Sequence, residues 1–162
     1  MLVDEKLSWN KETTCYLLSQ SHECGILQRM NSPKEKREFL SVLTRLMQVD
    51  GSEAEGERQM LEATLDYLNI SDTEYQTLKN QPEQYNPPKS AMDRIVHFYQ
   101  MSVLVKSDGV IAKKEVDYLN WLALRMGLRQ EAVEAILERL RANPNEVLEP
   151  QFVIETFQVF HN

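Results

Sequence analysis

The stretches VLVKSDGVIAKKEVDYL, residues 103–119, and RLMQVDGSEAEGERQML, residues 45–61, carry the same punctuation. In each, apolar residues at helical spacing run up to an Asp-Gly pair and resume beyond a glutamate seven positions after the aspartate. The pairs are Asp50-Gly51 with Glu57 and Asp108-Gly109 with Glu115. Asp-Gly breaks a helix because glycine supplies the positive φ that ends it, and a carboxylate in the next first turn suits the positive helix terminus. The pattern reads as helix, tight turn, helix, written twice.

Helical periodicity extends outward from both turns, and strand-like alternation is scarce, so an all-α chain is expected. A first helix is expected from about Asn10 to Cys24, where Gly25 ends it. Ser32-Pro33-Lys34-Glu35 forms a capping box with proline at the first helical position, followed by Phe39, Val42, Leu43, Leu46 and Met47 on one face. Next comes a helix from about Glu53 to Leu68 with Met60, Leu61, Thr64, Leu65 and Leu68 inward, then a short one capped by Ser71 and reaching Leu78. The breaker segment NQPEQYNPPKS, residues 80–90, holds three prolines and reads as a connector between halves. Beyond it, Met92, Ile95, Val96, Tyr99 and Val103 mark one stripe, Val116, Leu119, Leu122, Ala123 and Met126 a second, and Val133, Ile136, Leu137 and Leu140 a third. A last helix starts at Pro150 and shows Phe152, Phe157 and Phe160, with Val153 beside them.

Sliding the chain by 58 positions, the distance from Asp50 to Asp108, superposes the apolar stripes. Leu46 meets Leu104, Leu61 meets Leu119, Leu65 meets Ala123, and Asn69 meets Gly127. Asparagine and glycine are the residues best suited to the left-handed position just past a helix, and each is followed here by an apolar residue that such a cap buries. The expected fold is one compact helical domain of about seven to eight helices with an internal pseudo-twofold repeat. The first repeat spans about 33–80, the connector 81–90, the second repeat 91–141 and the C-terminal helix 150–161.

LVKSDGVIAKKEVDYLNWLALRMGL, and more loosely LTRLMQVDGSEAEGERQMLEATLDYLNI, resembles the TerB-like (tellurite resistance) family over roughly residues 36–141. Residues 1–31 and the last helix lie outside the resemblance. It implies a pseudosymmetric all-helical fold and a non-enzymatic role in stress or tellurite and metal-resistance assemblies. It also implies that Asp50 and Glu57 in the first copy, and Asp108 and Glu115 in the second, are candidate ligands for a divalent cation. The first copy differs in placing Glu53 where the second has Ile111. A TerB-like domain also accompanies a J-domain in one co-chaperone family, but no His-Pro-Asp triplet is present here.

Asp50, Glu53, Glu55, Glu57 and Glu62 place five carboxylates within thirteen residues, answered by Arg58. One reading is a helix N-terminus, where carboxylates are stabilised by about 0.3–1 kcal/mol each. The other is a hard cation, calcium or magnesium, or else zinc, with Asp50, Glu53, Glu57, Asp108 and Glu115 as ligands; hard cations take six to eight oxygens. The spacing is not that of an EF-hand. Lys113 and Lys114 weaken the field at the second turn, so the first is the better cation site. A metal-assisted hydrolase using these carboxylates, and a structural subunit whose acidic turns are only caps, are the alternatives. Cys15, His22 and Cys24 lack zinc-ligand spacing, and the five glycines build no nucleotide-cradling loop.

Net charge −7, from 25 acidic and 18 basic residues, disfavours nucleic acid as a partner. No stretch approaches the ~20 apolar residues of a membrane span, and MLVDEKLSW lacks the basic end and apolar run of a signal peptide. On a continuous helix Cys15 and Cys24 would lie on opposite faces, too far apart to bridge. A cytoplasmic, non-enzymatic protein with a protein partner is expected, as a monomer or a homodimer. Trp121 stands off the inward stripe of its helix and is expected to pack against the first or last helix.

Overall fold

Ser32 opens the first helix as its sequence demands. Its hydroxyl accepts the Glu35 N–H at 3.1 Å, while the Glu35 carboxylate accepts the Ser32 N–H at 3.4 Å, and Pro33 holds the first helical position. The structure, a computed structural model, describes residues 32–49, 51, 55–106 and 111–160. Seven helices stand among them: α1 Pro33–Gln48, α2 Glu55–Leu68, α3 Asp72–Asn80, α4 Ala91–Lys106, α5 Lys113–Arg125, α6 Gln130–Ala142 and α7 Pro150–Val159. No strand occurs among the described residues, so the all-α expectation holds. The helix expected over Asn10–Cys24 lies outside them.

Helix starts repeat along the chain at a fixed interval. Pro33 and Ala91, Glu55 and Lys113, and Asp72 and Gln130 are each 58 positions apart. The caps repeat too. Asn69 and Gly127 take φ of 55° and 68°, and behind each the next residue's N–H reaches back past it, Ile70 to the Leu65 carbonyl and Leu128 to the Ala123 carbonyl, both at 3.0 Å. This is the Schellman arrangement, which satisfies carbonyls left open at a helix end.

Most stripes read from the sequence are the buried faces. Phe39, Val42, Leu43, Leu46 and Met47 of α1, Leu61, Thr64, Leu65 and Leu68 of α2, all five expected positions from Val116 to Met126, and all four of α6 are buried. Helix α4 departs from its expected stripe. Tyr99 and Val103 are only half-buried, whereas Phe98 and Met101 are fully buried, with His97, Gln100 and Ser102 beside them. No described side chain of α4 is exposed. It packs against α1, α2 and α5, and Val96 meets Ile154 of α7 on another side. A helix wrapped all round has no polar face to give it an amphipathic period. The aromatic face expected at the C-terminus divides: Phe157 is buried edge-on against Phe98, Phe152 is half-buried beneath Arg139, and Phe160 remains exposed.

Candidate functional site

Glu115 is the acidic-turn residue whose side chain is described. It lies at the third position of α5, buried, and its Oε2 accepts the Ala112 N–H at 2.8 Å. Ala112 has no side-chain acceptor to return the bond, so this is half of a capping box. Glu57 occupies the corresponding third position of α2. Asp50, Glu53 and Asp108 lie outside the described residues. Gly51 does take the left-handed φ of 76° expected of the Asp-Gly turn, and its N–H bonds the Gln48 carbonyl at 3.2 Å. Lys113 is held at 2.7 Å by Asp117, one turn further into α5. Among the described residues, no three of His, Cys, Asp and Glu stand close enough together to hold a metal.

The connector is a strap fastened to α1 by polar contacts that its composition did not advertise. Arg37 Nε meets Glu83 Oε1 at 2.7 Å, and the Glu83 N–H donates to Ser41 Oγ at 3.0 Å. One turn away, the buried Glu38 carboxylate accepts from both the backbone N–H and the side-chain amide of Asn86, at 3.2 and 3.0 Å. Tyr85 turns inward, and its hydroxyl hydrogen-bonds His97 Nδ1 at 2.7 Å. Burial drives the His97 imidazole down to about 4, and it raises the Tyr85 hydroxyl above its usual range, with the nearby Glu38 charge adding to the effect. Both groups are neutral at pH 7. They tie the strap to α4 without a charge.

Where strap, α1 and α5 meet there is a cleft of about 150 Å³. Val42 and Leu122 are its apolar residues, Pro82–Tyr85 supply the strap side, and Arg45 and Arg125 the cationic one. Along α5, Tyr118, Trp121 and Arg125 follow one another at helical spacing and stack. The Tyr118 and Trp121 ring centroids are 5.5 Å apart at 23°, and the Arg125 guanidinium sits 4.9 Å from the Trp121 ring centroid. Trp121 is 44% exposed, so it does not join the described core. Burial raises the Tyr118 hydroxyl, and the positive charges of Arg45 and Arg125, which line the same cleft, pull it the other way.

The cleft was not legible from the sequence as a site. Its signal was Trp121 off the inward stripe, with Tyr118 three residues before it and Arg125 four after. Arg45 and the strap reach it through tertiary packing alone. No described helix is long and apolar enough to cross a membrane. Compared with protein-family models, with curated proteins and with solved structures, the chain finds no match.

Proposed function

We propose that the chain is a non-enzymatic, cytoplasmic binding domain of the TerB-like kind that engages a protein partner, with its two three-helix units related by a pseudo-twofold axis. The observation that carries the partner reading is the cleft: an exposed tryptophan in a stacked aromatic and cationic row, on a floor of buried residues. Tryptophan, tyrosine and arginine dominate protein interfaces because they bury much surface and keep a polar end. The 58-residue spacing of helix starts and the matched caps support the internal repeat. The stress or tellurite setting comes from the resemblance.

The test is recovery of a partner on the full chain, its identification, and reconstitution from purified components beside Trp121→Ala. A partner lost with that substitution is expected. One bound equally by the variant would overturn the assignment of the cleft.

A second reading, a divalent cation at the acidic turns, is favoured by the placement of Glu57 and Glu115 at the same helical position. On this reading Asp50, Glu53 and Asp108 complete the ligands. The Ala112 bond suits a capping carboxylate by itself, and a cation would have to share that carboxylate. EDTA-stripped protein titrated with calcium, magnesium, manganese or zinc decides between them. Binding to the folded state stabilises by about 2.7 kcal/mol at a hundredfold excess over Kd, and Asp50→Asn with Asp108→Asn should abolish that gain. A melt indifferent to every ion leaves the turns as caps.

A further inference from the structure

We infer that the cleft between α1, the strap and α5 binds an acidic peptide segment of the partner, laying an aliphatic or proline side chain along Tyr118 and Trp121 and a carboxylate at Arg45 and Arg125. The inference rests on the partner reading above and gives that partner a chemistry.

Charge is the first argument. The chain carries net charge −7, yet two arginines, Arg45 and Arg125, line this one cleft. Arg37 is neutralised by Glu83, the acid of the cleft wall. Neither Arg45 nor Arg125 has an ion-pair partner among the described residues. The cleft therefore presents two guanidiniums with no carboxylate partner among the described residues, on an acidic protein. A guanidinium is a fixed cation whose planar donors match a carboxylate, so complementarity selects an anion and rejects basic segments.

Size is the second. At about 150 Å³ the cleft is well below the ~300 Å³ at which cofactor and drug-sized sites begin. It accommodates one or two side chains, which suits a linear peptide. Preorganisation is the third argument. The strap is pinned by Glu83 and Asn86, and the α5 row is already stacked, so little ordering is left to be done on binding.

The experiment is selection of a random octapeptide library on the full chain, in parallel with Arg45→Gln/Arg125→Gln and Trp121→Ala. Anisotropy titration of the most enriched peptide against a twin with Gln for Glu and Asn for Asp follows. All three arginine and tryptophan positions are substituted at partly or fully exposed sites, and unchanged melts verify folding. Enrichment of Asp or Glu beside an aliphatic residue or proline is expected, with binding weakened about fivefold per arginine removed, weakened further by salt, and lost with Trp121→Ala. Peptides that need Trp121 but show no acidic preference would overturn this inference and leave the partner reading intact. No peptide dependent on any of the three residues, with partner recovery also unaffected by Trp121→Ala, would overturn both. A full-length dimer that Trp121→Ala dissociates would make the occupant a second copy and overturn the acidic-peptide assignment.

Discussion

His97 shows how one buried side chain links pH to the whole fold. Its imidazole is flanked by Phe39, with ring centroids 4.7 Å apart, and held by Tyr85, and burial disfavours its positive charge. Unfolded, it titrates near 6.5; folded, near 4. Between those values the unfolded chain binds the extra proton. The His97 contribution is thus complete above about pH 6.5 and is lost as pH falls toward 4, by about 3 kcal/mol in total. An NMR titration should show a neutral His97 ring at pH 5.5, and a ring that charges near 6.5 would contradict this. Nothing in the sequence links His97 to Tyr85, because that partner sits twelve positions back in a proline-rich segment with no periodicity to announce it.

At the scale of elements, the caps after α2 and α5 are the most legible features of the chain. Asn69 and Gly127 were readable because a left-handed residue is a local requirement, met by few residue types and independent of distant packing. Their energies should differ accordingly. Gly127→Ala should cost about 1 kcal/mol, since alanine brings a Cβ into a φ of 68°. Asn69→Gly relieves the opposite constraint and should change stability by only a few tenths of a kcal/mol. Urea denaturation of both variants measures the pair, and equal losses would mean that Asn69 contributes contacts beyond its backbone. The strap lies at the other extreme. Its prolines predicted the absence of helix, and residues 82–88 are indeed non-helical, but the bonds from Glu83 and Asn86 to α1 join positions more than forty apart and leave no pattern in the sequence. For the same reason Gly51 was legible as a left-handed turn residue, while the cleft, assembled from three elements, was not.

At the scale of the molecule, α4 holds the assembly together. It touches α1 and α2 before the strap in sequence, and α5 and α7 after it. Phe98, fully buried and edge-on to Phe157, joins α4 to α7, so Phe98→Ala should cost about 3–5 kcal/mol. That cost should appear as one cooperative shift of the whole denaturation curve. Two separate transitions would mean that the halves are independent. The same burial has a consequence during synthesis. Ribosomes extend chains at about 5–20 residues per second, so the 53 residues from Lys106 to Val159 take roughly 3–10 s to make. For those seconds α4 has been made and can dock on α1 and α2, but the α5 and α7 surfaces that cover its other sides have not. A nascent chain stalled there would display an uncovered apolar segment, the kind of surface that general chaperones hold, and release would await the arrival of α7.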